Sequence, residues 1–365
     1  MEQPPAATSA PSATQRVAPR RPRPPSDYAL LSERIRGAGL LQRRRLPYLV
    51  LLVSLGAALT GTGALLVVLG DSWWQLGTAA GLALVLAQLG FLGHEAAHQQ
   101  VLGTRKGNEW LARCLSCGVV GLSYAWWTHK HNRHHSAPNQ VGRDPDIAPG
   151  AIAFTREAAA DRTGFPGWFA DHQGWWFFPL LLLEGLNLHQ AGVRVLLQRR
   201  ELPWRRLELG LVAVRLAGYV VVLLLVLDPV KALAFLAVQL GLFGFLLGAA
   251  FAPNHKGMPI VPRDARIDFL RRQVLMSRNI RGGWLVTFLM GGLNYQVEHH
   301  LFPSMPRANL RRARPLVQQF CAERGVTYTE TTLMASYAIV VRYLDSVGPG
   351  NRDPFSCPLV EQYRG

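Results

Sequence analysis

Cysteine is nearly absent from this chain: Cys114, Cys117, Cys321 and Cys357 are the full complement. Cys114 and Cys117 form a CxxC, but no second CxxC completes a four-thiolate zinc site. None lies in a segment expected outside a cell, which excludes a disulfide framework. An apolar run behind Met1 is also missing, so no signal peptide is expected. Lysine occurs only at 106, 130, 231 and 256, leaving arginine to carry the basic charge. With abundant Ala, Leu and Gly, that bias points to a bacterial source of high GC content. Acidic residues are outnumbered, 23 against 39 basic, for a net charge of +16 in a chain that is 49% hydrophobic. Soluble globules rarely combine those two properties. They suit a membrane protein whose charges lie in its water-exposed parts, and the basic excess is assigned there rather than to nucleic-acid binding.

What is present is long apolar runs. Residues 47–70 and 76–93 each approach the roughly 20 residues that cross a hydrocarbon core, and GDSWWQ between them reads as a turn with interfacial tryptophans. A second pair at 209–227 and 232–252 is joined by DPVK. Arg215 falls inside the third run, where it either snorkels to the near interface or faces the protein interior; snorkelling is favoured. The stretches 114–127, 176–196 and 284–293 are doubtful spans, the second because it carries Glu184, Asn187 and His189. Residues 1–27 read as a disordered basic tail and 28–45 as a helix on the membrane surface. Residues 28–345 form the membrane domain and 346–365 a C-terminal tail. The expected fold is an all-α integral membrane protein: four transmembrane helices in two hairpins under a cytoplasmic helical cap. Nine arginines precede residue 47, whereas the two hairpin turns hold one lysine and two aspartates. The positive-inside rule therefore puts both termini and segment 94–206 in the cytoplasm, of a bacterial plasma membrane if the source is as composition suggests.

Eight of the eleven histidines fall where that topology explains them. HEAAH places His94 and His98 at i and i+4 just past the second span. HNRHH places His131, His134 and His135 at i, i+3 and i+4. His299 and His300 follow Gln296 at the same spacing, and His255 follows the fourth span. Such spacings share one helical face. A lone HxxxH is more often surface or core than ligand. Three such groups and a single histidine on one side of one membrane indicate a metal site. Eight imidazoles exceed the need of one ion, so two metals with about four nitrogens each are expected. A thiolate-free cluster facing a membrane favours iron and oxygen chemistry on a lipid. His129 should point away from the ligand face, His189 should be structural, and His172 should lie on the surface.

HEAAH (94–98), WWTHKHNRHHSAPN (126–139) and NYQVEHHLFP (294–303) resemble the three histidine boxes of the membrane fatty acid desaturases, the di-iron histidine-box enzymes. The third resembles the QxxHH form of front-end and acyl-lipid desaturases, and APNHKGMP resembles the family's additional histidine after the fourth span, which extends a ligand role to His255. The chain has no HPGG haem motif, so a fused cytochrome b5 domain is not expected.

The resemblance implies two iron ions held by His94, His98, His131, His134, His135, His255, His299 and His300. They would take O2 and two electrons and desaturate a long-chain acyl group carried on CoA or a lipid. An external donor such as a ferredoxin or a flavin reductase would supply the electrons. Glu95, Asn132, Asn254, Asp144, Asp146 and Glu298 are candidates to orient imidazoles, and Trp126 and Trp127 to line an acyl channel. Gln296 is left open as a ligand. A lipid, alkane or carotenoid hydroxylase or ketolase, and a non-catalytic metal-binding membrane protein, are the competing readings.

Overall fold

A computed structural model describes residues 24–350. The expected tails at 1–27 and 346–365 lie outside the described residues apart from 24–27 and 346–350. Helix α1 (Asp27–Gly37) begins where the Ser26 hydroxyl accepts from the Ala29 amide. Leu31 and Ile35, one turn apart, are fully buried in a cluster with Leu310, Val317 and Phe320. The apolar face of this segment is thus buried in protein rather than turned to lipid, a correction to the membrane-surface helix expected for 28–45.

Helices α2 (Arg45–Leu69) and α3 (Gln75–Ala97) form the first hairpin. Its turn needs the left-handed conformation of Gly70, and the Gln75 amide closes it by donating to the Leu66 and Gly70 carbonyls. Helix α4 (Arg105–Arg113) runs directly into a π-helix, Cys114–Val120. Helix α5 (Tyr124–Ser136) follows, capped by the Ser123 hydroxyl. After the short α6 (Arg156–Ala159) and α7 (Gly164–Asp171) comes the long α8 (Gln173–Gln198). The second hairpin is α9 (Arg205–Val226) and α10 (Pro229–His255), the latter started by Asp228 as N-cap and Pro229 at the first position. The two hairpin turns meet, with Lys231 Nζ 2.9 Å from Asp71 Oδ2.

After α10 come α11 (Phe269–Leu275), β1 (Asn279–Arg281), α12 (Trp284–Leu289), α13 (Gln296–Leu301), α14 (Arg307–Glu323), β2 (Glu330–Thr332) and α15 (Leu333–Ser346). The two strands pair in parallel, Asn279 opposite Glu330.

Among the described residues, five helices, α2, α3, α8, α9 and α10, are long and apolar enough to cross a membrane by length and composition. The extra one relative to the sequence reading is α8, which extends beyond the apolar run 176–196 at both ends. Its Glu184 and Asn187 bond each other, and His189 is buried, with Nδ1 2.6 Å from the Gly185 carbonyl and Nε2 3.2 Å from that of Val120. Helix α8 crosses α10 where two glycines meet. A Cβ on Gly185 would lie 2.3 Å from the Leu240 carbonyl oxygen, and one on Gly244 2.2 Å from the Gly185 nitrogen. Arg215 does not snorkel: its Nε donates to the Val119 carbonyl at 2.6 Å and its guanidinium sits 4.4 Å from the Tyr219 ring centroid. Val119 lies in the last turn of its helix, where carbonyls have no partner within the helix, and the inward-turned arginine takes it up. Cys117 and Cys321 are buried and Cys114 exposed, all three as free thiols; Cys357 lies outside the described residues.

Candidate metal centre

Four helices bring their histidines to one place. Helix α3 carries His94 in its last turn, with His98 as its C-cap. Helix α5 carries His131, His134 and His135, α10 ends on His255, and α13 carries Gln296, His299 and His300. Helix α13 is started by the Asn279 side chain, whose oxygen accepts from the Val297 amide at 2.8 Å. All eight expected histidines are therefore assembled, but they divide unevenly. His94, His98, His131, His135 and His299 form one group, and His134, His255 and His300 a second; within each, ligand nitrogens lie within 4.8 Å of one another. The expectation is about four nitrogens for each of two metals; the groups as they stand hold five and three. The reason is helical: consecutive residues are about 100° apart, so His134 and His135 diverge, as do His299 and His300. The stacked rings of His135 and His300, 4.2 Å apart, join the groups.

The donor set fits metal ions. His94 Nε2 and His98 Nε2 lie 3.1 and 2.9 Å from His131 Nε2, so three ring nitrogens converge. Both nitrogens of His135, and Nε2 of His299 and His300, are buried without a hydrogen-bond partner. Buried polar atoms left so are expensive, and a cation in each group would satisfy Nε2 of His299 and of His300 and one nitrogen of His135. In the three-histidine group each Nδ1 has a fixed partner: Asp144 Oδ2 at 3.0 Å from His134, the Met276 carbonyl at 2.9 Å from His255, and Gln273 Oε1 at 2.9 Å from His300. Each Nδ1–H donates to its partner, leaving the Nε2 lone pair for a metal.

Burial holds the rings neutral, the form that binds cations. It pushes His98 down to about 4, and His131, His135, His299 and His300 well below the usual imidazole range, neighbouring imidazoles adding to the shift in these four. His134 is the exception. Burial lowers it too, but the Asp144 charge and hydrogen bond outweigh this and raise it. Asp144 is correspondingly held below the usual carboxylate range despite its burial, through His134.

The proposed orienting groups fare unequally. Asp144 fulfils the expectation. Asp146 lies 3.4 Å from His134 Nδ1 and pairs with Lys130 at 2.8 Å. Asn254 donates to Gln296. Glu95 pairs with Arg307 and Glu298 is held by Asn279 and Tyr328, so neither touches an imidazole nitrogen; Asn132 is exposed. His129 and His172 are exposed, as expected. Gln273, Asn279 and the fully buried Arg278 escaped the sequence reading. Arg278 Nε donates to the Pro253 carbonyl at 2.9 Å and Nη2 to that of Lys256 at 2.9 Å, fixing the end of α10 that carries His255. No local pattern marks these residues, because their partners are distant in sequence.

A cavity of about 430 Å³ reaches the histidines, bordered by His94, His131, His134, His255 and Gln296. Elsewhere its wall is mostly apolar, including Gly90, Trp126, Trp127, Leu181, Leu247 and Phe251, while Lys130, Asp146, Glu184 and Lys256 add charge. Between α5 and α8 lies a second groove of about 350 Å³. His129, Lys130, Arg133 and Arg199 line it and no carboxylate does; Trp126, Lys130 and Pro145 line both spaces.

Residues 71–332 match the profile of the family described as fatty acid desaturase. The chain belongs to the fatty acid desaturase family. The matched span contains all three boxes and His255. Among desaturases of known activity, the chain is 30% identical to an acyl-lipid (9-3)-desaturase of Physcomitrium patens, over 74% of this chain and 53% of that one. It is 28% identical to a delta(6)-fatty-acid desaturase of Caenorhabditis elegans, over 75% and 65%, and 30% identical to a delta(5) fatty acid desaturase of the same animal, over 70% and 60%. The chain thus spans between half and two thirds of the length of these relatives. They are eukaryotic, so the bacterial source suggested by composition gains no support from them.

Proposed function

We propose that this desaturase-family chain is an O2-dependent membrane acyl desaturase that introduces a double bond into a long-chain acyl group. The carrying observation is the largely apolar cavity that ends against two groups of converging imidazoles. His94, His98, His131, His135 and His299 would hold one iron ion, and His134, His255 and His300 the other. The bound metals supply what no side-chain acid or base can, O2 activation and hydrogen abstraction from an unactivated methylene. The protein's own part is positional. The apolar wall, with Trp126 and Trp127, holds the chain and excludes water, and Asp144, Met276 and Gln273 hold three imidazoles in the ligating tautomer. The carboxylate-free basic groove beside Lys130 suits an anionic headgroup on the substrate. Electrons would come from a carrier such as a ferredoxin or a flavin reductase, whose acidic surface suits the chain's basic excess.

Four spans, α2, α3, α9 and α10, are the favoured topology. Both ends of α8 are tied to the base of the second hairpin. At its start, Gln173 bonds Ala153 and the Leu344 carbonyl of α15, which is itself fastened to the end of α10 by Ser336 donating to Pro253. At its other end, the Leu196 carbonyl accepts from Arg205 at the start of α9. A helix returning to the side it left lies along the membrane rather than across it. The arginine bias before α2 makes that side, with the histidines, cytoplasmic.

The test is expression with a ferredoxin–reductase pair and fatty acid profiling by mass spectrometry. New double bonds are expected; hydroxylated lipid with an unchanged double-bond profile overturns the assignment. Metal analysis should find close to two irons per chain, and one zinc per chain would sink the di-iron reading.

A further inference from the structure

Gln296 occupies, on α13, the helical slot that His131 occupies on α5. It is 2% exposed and borders the cavity. Its amide has two ends, an oxygen able to ligate a metal and a nitrogen able only to donate hydrogen bonds. Which end faces the histidines decides what the residue does, and two independent constraints decide it.

The first is Asn254, which is fully buried. Its Nδ2 lies 3.1 Å from the Ala250 carbonyl and 3.1 Å from the Leu293 carbonyl. Both are backbone acceptors, so this atom is the Asn254 nitrogen, a donor with no lone pair to offer. The same nitrogen lies 3.1 Å from Gln296, and the Gln296 atom facing it is therefore the oxygen. The second is His255. Its Nδ1 donates to the Met276 carbonyl at 2.9 Å, so the ring carries its proton there and presents a lone pair at Nε2. Gln296 Nε2 is 2.8 Å from that lone pair. Turning the amide over would set two donors against each other at Asn254 and two acceptors at His255.

We infer that Gln296 is a hydrogen-bond donor at the three-histidine site, not a metal ligand, and that its N–H serves the exogenous ligand of the metal held there. The inference rests on reading the histidines as a two-metal centre. When a metal takes the His255 lone pair, the Gln296 N–H loses that acceptor and is left beside the ion at the cavity wall. Three imidazoles do not fill the coordination of an iron ion, so the amide faces a place that a small anion can enter.

Azide is a suitable probe, because its charge-transfer band on ferric iron reports binding without turnover. Purified chain is loaded with iron, its metal content counted, and azide titrated. Wild type and Gln296→Leu should each hold two irons, with azide bound about 10-fold or more weaker by the variant, the range for losing a hydrogen bond to a charged group. Gln296→Glu, similar in shape but bearing a carboxylate, should also keep two irons and weaken azide further. Gln296→Leu holding one iron fewer than wild type overturns the inference, since it makes the glutamine a ligand. Equal azide affinity in wild type and both variants overturns it as well, since no donor is then in play. A wild-type count below two removes the two-metal reading itself, and this inference with it. Thermal unfolding of each variant separates site effects from misfolding, and Gln296→Glu keeps the test open if the leucine variant fails to fold.

Discussion

The crossing of α8 over α10 makes a demanding test of the cavity. At Gly185 and Gly244 the obstacles to a side chain are backbone: the Leu240 oxygen at 2.3 Å, the Gly185 nitrogen at 2.2 Å and the Leu181 oxygen at 2.7 Å. Ordinary contact begins near 3.4 Å. Backbone cannot swing aside as a side-chain tip can, so one added methyl parts the helices by roughly an ångström. Overpacking of this kind costs about 1–3 kcal/mol, a fall in Tm of several degrees for a chain of this size. Helix α8 also carries Leu180, Leu181, Glu184 and Leu188 into the cavity wall. Gly244→Ala should therefore lower kcat/KM for a long acyl substrate while leaving iron content near wild type. Gly185→Ala should behave alike, and the double variant should cost less than the two singles combined, because both destroy the same close approach. Gly56 and Gly218 are the controls. A Cβ at either meets nothing within 4 Å, so alanine there should be neutral or stabilising by up to about 1 kcal/mol. Melting curves in detergent, iron counts and acyl-product analysis on these five variants suffice. If Gly244→Ala melts and turns over like the controls, the crossing is not tight and α8 does not set the cavity wall.

Three further outcomes are expected. His255→Ala, which leaves its group two imidazoles, should cost about one iron per chain, His299→Ala, which leaves its group four, should cost less, and Gln296→Ala should cost none; metal analysis after gel filtration decides. Asp144→Asn, which removes the charged acceptor of His134 Nδ1, should weaken iron binding about 10–100-fold, read by chelator competition, and unchanged affinity would deny Asp144 its orienting role. Gly90 borders the cavity and its Cβ would meet only Leu247, at 4.0 Å. Gly90→Leu should therefore fold normally but process the longest acyl chains about 10-fold less well or worse, while a product distribution like wild type would place the chain elsewhere.

The legible parts of this protein were those set by short-range periodicity. Hydropathy marked α2, α3, α9 and α10, and spacings of three and four residues placed the histidines on helical faces before any coordinates. The adjacency in HNRHH and QVEHH held more than the sequence reading took from it. Two neighbouring residues on a helix cannot serve one point, so each HH pair implies two destinations, and five and three follow once the other ligands are placed. Hydropathy set α8 apart only by degree: it is less apolar than α9 and carries Glu184, Asn187 and His189, yet it is still long and apolar enough to cross a membrane, and where its ends are tied shows only in the fold. Arg215 was misplaced for a related reason. Its partner is a helix-end carbonyl 96 residues away in the sequence, and nothing local to the arginine marks it. The role of Gln296 lay furthest out of reach. It depends on carbonyls at Ala250, Leu293 and Met276, in three segments that meet only in the folded chain. A backbone carbonyl is the same group in every residue, so the contacts that orient this amide are written in the fold and not in side-chain identity.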